Sequence, residues 1–290
     1  MPAPHSLRVG AIVRLTRPDQ VLLITVVFTA GGLMGRASSG SADVVAWALG
    51  IAAVVLVAVS VHAANEYADA DTDARTTRTR FSGGSGAISA HGLARSWALR
   101  IAIVSGLAGV ALSVGAAIMG LVPAAATTGI LIGLVLGWEY SLPPLALARH
   151  RAGEVTNALL GGLLLPVTGA AAMGAPIGAS AVAFVPFTLL VFVNLLETQW
   201  PDRVADRAVG KDTLTSSLSL RSLRAIAAAV AGVAYVSLLL LPPAVTLASL
   251  AALPLSLWGV VSMGRRPPGP SVMAMVVSIV AQGAAWAALG

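Results

Sequence analysis

A chain of 290 residues that is 57% hydrophobic and only 10% charged, with a mean hydropathy of +0.87, has too little polar surface to cover a water-soluble domain of that size and reads as an integral membrane protein. The absence of cysteine excludes disulfides, thiolate nucleophiles and cysteine-ligated metals. A formal net charge of +6 would suit nucleic acid, but the arginines are distributed as membrane-topology signals, so no nucleic-acid partner is expected and the bilayer is.

The N-terminal MPAPHSLRVGAIVRLTRPDQ is basic and lacks a clear cleavage site, so it is read as retained. Nine apolar stretches follow, at about 19–36, 43–66, 95–118, 121–140, 153–174, 179–200, 222–241, 244–263 and 270–289. Each is near the roughly 17 to 25 residues that cross a bilayer as a helix. Arg8, Arg14 and Arg17 precede the first stretch, and Arg75, Arg78, Arg80, Arg95 and Arg100 follow the second. Arg149 and Arg151 follow the fourth, Arg203, Arg207, Lys211, Arg221 and Arg224 the sixth, and Arg265 and Arg266 the eighth; only Arg36 lies on the opposite side. Basic residues mark the cytoplasmic face, so a multi-pass protein of the cell membrane is expected, with its N-terminus inside and its C-terminus outside. Residues 1–290 are read as a single transmembrane domain.

Twelve carboxylates remain, and all but Asp43 gather on that same inner side. Topology does not ask this of acids, so another cause is required. The first cluster is NEYADADTDARTTRTRFSGGSG, residues 65 to 86, directly after the second stretch; the second is NLLETQWPDRVADRAVGKDTL, residues 194 to 214, after the sixth. The four-stretch offset between them, with proline pairs after the fourth and eighth stretches, suggests two four-helix repeats plus a final helix around a central cavity. The fold expected is all-α, with every chemically active group facing the cytoplasm.

In the first cluster Asn65, Asp69 and Asp73 stand at i, i+4 and i+8 with Glu66 beside them, so a continued helix stacks their oxygens on one face. Such a row repels itself unless a cation neutralises it. Oxygen donors without sulfur or clustered histidine suit Mg²⁺. Asp202 and Asp206 repeat the four-residue spacing after a break at Pro201, preceded by Asn194 and Glu197 on the apolar part of the helix. An ionisable group at membrane depth costs about 2.5 to 3.5 kcal/mol, so Glu197 requires a partner, and a metal is one choice. One acidic run alone is ordinarily a solvated face; two with the same spacing, each rooted in an Asn, are the signal. Mg²⁺ held by a few carboxylates completes its shell with water and phosphate oxygens. Arg17, Arg80 and Lys211 are the expected anion contacts, and GGSG at 83–86 is either a phosphate-facing loop or a lid.

NEYADADTD resembles the first aspartate-rich motif of the UbiA-type membrane prenyltransferase superfamily, and PDRVADRAVGKDTL resembles the second. FSGGSGAI and YSLPPLALARHRAGE are similar to the same superfamily, in particular to its 1,4-dihydroxy-2-naphthoate prenyltransferase-like branch. The resemblance implies Mg²⁺-dependent ionisation of an isoprenyl diphosphate to an allylic carbocation and its capture by an aromatic, quinone-precursor-like acceptor. Within the same fold the alternative is a terpene cyclase, whose cation attacks its own chain; a secondary transporter is the further alternative from another class. It also implies metal ligation by Asn65, Glu66, Asp69, Asp73, Glu197, Asp202 and Asp206, with Asn65, Arg17, Arg80 and Lys211 on the diphosphate and Tyr140 near the reacting end. Where part of the family has a lysine four residues after this tyrosine, the chain has Pro144, and Arg149 or Arg151 is the expected substitute.

Overall fold

A computed structural model describes residues 5–76, 78 and 83–290, and every regular element in them is helical. A short helix, α1 (His5–Leu15), leads into α2 (Pro18–Ser39). Then come α3 (Val44–Asp73), α4 (Arg95–Ile118) and α5 (Ala124–Ser141). The second half contains α6 (Gly153–Ala172), α7 (Ile177–Gln199), the short α8 (Arg203–Ala208), α9 (Leu220–Leu240), α10 (Pro243–Ser262) and α11 (Gly269–Leu289). Eight of the described helices are long and apolar enough to cross a membrane. Helix α5, 18 residues ending in WEYS, falls on the fourth apolar stretch but is not among those eight, so eight crossings stand among the described residues against the nine expected.

Sequence accounts for the helix ends that matter. The Asp43 carboxylate accepts from Ala46 N at 2.9 Å and caps α3, and Gly40 at φ 71° closes α2. Pro18 denies Arg17 the right-handed helical region, so α1 cannot run on into α2. Arg17 turns the chain at φ 49°, a left-handed conformation that costs a non-glycine residue about 1–2 kcal/mol. Helix α3 does not stop at the membrane surface: its 30 residues extend about 45 Å, against a hydrocarbon layer of about 30 Å. Its last turns therefore carry the first acidic cluster out of the bilayer as a helix, as the i, i+4, i+8 spacing requires. Between α7 and α8, Pro201 sits in a 3₁₀ turn over Trp200–Asp202, so the second cluster begins at the expected break.

Hydrophobic burial cannot drive helices together in lipid, where the tails are as apolar as leucine, so close packing of small residues must do it. Helices α2 and α6 meet backbone to backbone. A Cβ on Gly31 would stand 1.9 Å from the Pro166 carbonyl oxygen, one on Gly35 2.6 Å from that of Ala170, and one on Gly169 2.0 Å from that of Phe28. Gly31 and Gly35 form a GxxxG pair that the sequence carries openly. Helices α3, α4 and α5 are tied by Ser60, whose hydroxyl donates to Ala102 O at 2.6 Å and accepts from Trp138 Nε1 at 3.0 Å. In α6 the helix widens into a π turn over Leu159–Leu164, just ahead of Pro166. Insertions of this kind recur at functional sites, and here one face of the widened helix borders the central cavity.

Candidate active site

The acidic ends of α3 and α7–α8 converge. Asn65, Asp69 and Asp73 from α3 line one polar cavity of about 250 Å³ together with Asp202, Asp206 and Lys211 from the second cluster, Arg17 from the start of α2 and Tyr140 from α5. The direct link is Lys211, whose Nζ lies 2.6 Å from Asp69 Oδ1 and 3.7 Å from Asp206 Oδ1, with the side chain 7% exposed. Gly210, at φ 73°, ends α8 and turns Lys211 back toward the acids, and the Lys211 amide donates to Asp206 O at 2.9 Å. Two like-charged motifs, 142 residues apart between Asp69 and Lys211, are thus joined by the cation embedded in the second.

On the α3 side, the Asn65 amide donates to Asp69 Oδ2 at 3.0 Å and to Ser141 Oγ at 3.3 Å, while its carbonyl accepts from Arg17 at 3.4 Å. Glu66 has an occupation other than the expected metal ligation. Its Oε1 takes Arg17 Nη2 at 2.5 Å and the Ser85 amide at 2.6 Å, and its Oε2 takes the Ser85 hydroxyl at 2.8 Å. Buried at 2% exposure, Glu66 clamps Arg17 on one side and the glycine loop on the other. That loop lies against the acids: Gly83 and Gly84 border the cavity, and a Cβ on Gly84 would stand 2.0 Å from Asp73 Oδ2. Asp71, on the other face of α3, is exposed and pairs with Arg95 at 3.4 Å, outside the cavity.

One expected metal ligand is placed elsewhere. Glu197 is buried beside Gly259 of α10 and Ser271 of α11 and does not border the cavity, because it lies about 200° around α7 from Gln199, which does. Arg80 lies outside the described residues. Arg149 and Arg151 act as struts: Arg149 donates to Val209 O at 2.8 Å and Arg151 pairs with Asp212 at 3.2 Å, holding the loop that carries Lys211. Asp212 is also hydrogen-bonded by the Ser217 hydroxyl, and this contact first, then Arg151, holds its carboxyl below the usual range.

Sequence reasoning passed over Gln20, Glu154, Asn157 and Gln199, all of which border the polar cavity. Glu154 and Asn157 stand three residues apart at the head of an otherwise apolar stretch and so share a helix face, which was the signal available for them. Glu154 accepts the Leu214 amide through Oε1 at 2.8 Å, and Asn157 lies near Tyr140. Glu154 Oε2 and Gln199 Oε1 are buried oxygens without a partner among the described residues. No three His, Cys, Asp or Glu side chains converge as a ready-made metal cage among the described residues. An all-oxygen donor set spread over two helix ends, with unmatched buried oxygens between them, fits a hard cation that takes one or two carboxylates and fills its remaining positions with water and phosphate.

Below the polar cavity lies a second, apolar one of about 260 Å³, and the two share Arg17, Gln20, Asn65, Tyr140 and Asn157. Its walls are Ile24 of α2, Val54, Val57, Ala58 and Val61 of α3, and residues of α5 and α6. Of Tyr67, Trp138, Tyr140 and Trp200, only Tyr140 borders this junction. Tyr67 and Trp200 are covered by the guanidinium groups of Arg95 and Arg203 at 4.5 and 4.0 Å, and Trp138 is hydrogen-bonded to Ser60.

The site is thus an acidic mouth over an apolar hollow in a polytopic helical bundle. The sequence model of the UbiA prenyltransferase family matches residues 25–286, and the chain belongs to that family. Solved structures share the fold. A UbiA homolog from Archaeoglobus fulgidus bound to GPP and Mg²⁺ superposes with a TM-score of 0.67 at 17% identity, covering 96% of this chain and 99% of the other. The same homolog bound to DMAPP and Mg²⁺ gives a TM-score of 0.67 at 18% identity over 96% and 99% of the two chains. A digeranylgeranylglyceryl phosphate synthase gives a TM-score of 0.66 at 13% identity over 97% and 99%. Among curated protein sequences none matches the chain.

Proposed function

We propose that the protein, acting as a single domain, transfers an isoprenyl group from an isoprenyl diphosphate to an aromatic, quinone-precursor-like acceptor, with Mg²⁺ as the cofactor. The observation that carries this reading is the continuity of the two cavities at Arg17, Gln20, Asn65, Tyr140 and Asn157, a junction matched to a molecule with an anionic head and an apolar tail. Family membership and the GPP- and DMAPP-bound homolog structures support it.

In this reading Asn65, Asp69 and Asp73 hold metal from one side and Asp202 and Asp206 from the other, and bound Mg²⁺ supplies positive charge to the departing diphosphate. Lys211 and Arg17 contact its non-bridging oxygens. Glu66 keeps Arg17 aimed at the mouth, so little reorganisation is needed as charge builds on the leaving group. Tyr140, at the junction beside Asn157, presents its ring at the carbon whose bond to oxygen breaks, where a π face stabilises the allylic cation. The apolar walls below exclude water, so the cation is captured by the acceptor: an acceptor electron pair forms the new bond, and the acceptor then releases a proton. The mouth faces the cytoplasm, a placement supported by the arginines around it.

Purified protein given geranyl or farnesyl diphosphate and Mg²⁺, with and without 1,4-dihydroxy-2-naphthoate, tests this. Diphosphate release coupled to a prenylated acceptor is expected, and Asp202→Ala should abolish it while leaving thermal unfolding little changed. A cyclic product formed without acceptor would replace the transferase with a cyclase. Undiminished release by Asp69→Ala and Asp202→Ala would remove the metal-binding assignment.

A further inference from the structure

Four glycines border the apolar cavity, Gly129, Gly133 and Gly137 on α5 and Gly161 on α6, and they do not serve one purpose. Two are demanded by packing. A Cβ on Gly129 would stand 2.2 Å from Thr168 Oγ1, and one on Gly137 2.5 Å from Val61 Cγ2, so α5 could not seat itself with larger residues there. The other two have no such excuse. A Cβ on Gly161 meets nothing within 4 Å, and one on Gly133 has its nearest neighbour, Leu164 Cδ2, at an ordinary 3.8 Å.

That empty space is the cavity itself. The α6 residues bordering it are Asn157, Leu160, Gly161, Leu164, Leu165 and Thr168, the spacing of a single helix face, and Gly161 lies in the middle of that face. Gly133 stands in the same way between Gly129 and Gly137 on the facing stripe of α5. Each glycine costs helix stability relative to alanine, about 1 kcal/mol in a soluble helix interior, with no packing return at these two positions.

We infer that Gly133 and Gly161 set the length of isoprenoid tail the protein accepts, and that the cavity is sized for a farnesyl group. The inference rests on the donor being an isoprenyl diphosphate. From the polar junction at Tyr140 down to Gly129 is 11 residues of α5, and from Asn157 down to Thr168 is 11 residues of α6, each about 16 Å of helix. An extended chain advances about 1.2 Å per bond, so an isoprene unit of four bonds takes about 5 Å and three units about 15 Å. Gly161 lies four residues below Asn157, about 6 Å, the level reached by the end of the first unit; Gly133 lies seven below Tyr140, about 10 Å, the end of the second. A side chain at 161 therefore closes the cavity beyond one unit and a side chain at 133 beyond two.

The test compares wild type with graded series, Gly161→Ala, Gly161→Val and Gly161→Leu, and Gly133→Val and Gly133→Leu. Gly178→Leu is the control, at an α7 glycine whose Cβ also meets nothing within 4 Å but which does not border the cavity. Each is assayed with dimethylallyl, geranyl, farnesyl and geranylgeranyl diphosphates for Mg²⁺-dependent diphosphate release and, without turnover, for protection against thermal unfolding. Wild type should favour farnesyl. Gly133→Leu should retain geranyl and lose farnesyl, and Gly161→Leu should retain only dimethylallyl. The ratio of kcat/KM for the blocked donor to that for the shorter one should fall about tenfold or more, the scale of discrimination for surplus carbons in a closed apolar pocket. The alanine and valine steps fall in between, so a leucine variant that does not fold leaves the series readable. General destabilisation lowers activity with every donor and leaves the ratios unmoved. Unshifted ratios and unshifted protection in the Gly133 and Gly161 series, beside a wild type that does respond to donors, would overturn the inference. A wild type neither protected by nor active on any isoprenyl diphosphate would overturn the proposed function, and this inference with it.

Discussion

Replacing Glu66 with alanine separates two roles that its position in the first acidic motif leaves together. Its oxygens accept from Arg17 Nη2, Ser85 N and Ser85 Oγ, and the residue is 2% exposed. Removing one member of a buried ion pair ordinarily destabilises by about 3–5 kcal/mol, because the other charge is left uncompensated. The Arg17 side chain keeps 17% exposure and water can reach it, which puts the expected loss at the lower end, about 3 kcal/mol. At roughly 2–4 °C per kcal/mol for a chain of this size, the apparent Tm in detergent should drop by about 6–12 °C. Glu66→Gln keeps an acceptor for Ser85 and should lose about half as much. The Mg²⁺ concentration for half-maximal diphosphate release should change little in either variant, while KM for the donor rises as Arg17 loses its orientation. An unchanged Tm together with a sharply raised Mg²⁺ requirement would mean that Glu66 binds metal and that the clamp is incidental.

Two further substitutions probe the same mouth. Gly84→Ala should raise the Mg²⁺ requirement in titrations of diphosphate release, since its Cβ would displace Asp73 Oδ2 from 2.0 Å; Gly92→Ala, also at φ 65° but with nothing within 4 Å, incurs the same backbone strain and should leave that requirement alone. Lys211→Met leaves Asp69 and Asp206 facing each other without a cation, so the apparent Tm should fall without metal, and added Mg²⁺ should raise it by more than in wild type.

Much of the site was legible because helical periodicity is a local property. Asn65, Asp69 and Asp73 share a face as soon as α3 continues past the membrane, and nothing distant is needed to bring that about. Asp202 and Asp206 follow in the same way from the break at Pro201. Glu197 was misjudged because its contacts belong to α10 and α11, some sixty to seventy residues further on, and a buried acid in a helix does not announce which neighbour it faces. Glu154 and Asn157 went unnoticed because they stand at the head of an apolar stretch just after Arg149 and Arg151, where polar residues belong to the membrane boundary in any case.

The sequence by itself determined the membrane class, the all-helical fold, the approximate ends of the helices and the oxygen-only chemistry of the acidic clusters, since hydropathy, helix period and residue type act within a few turns of chain. Only the tertiary structure decided that Lys211 sits between the two motifs and that Glu66 serves Arg17 and Ser85. The same holds for Gly129 and Gly137, filled against neighbours, while Gly133 and Gly161 open onto space. Each of those outcomes depends on which helix comes to lie opposite, and with no hydrophobic force to sort helices in lipid, that choice rests on close fits such as Gly31 and Gly35 against α6, whose partners lie more than a hundred residues away.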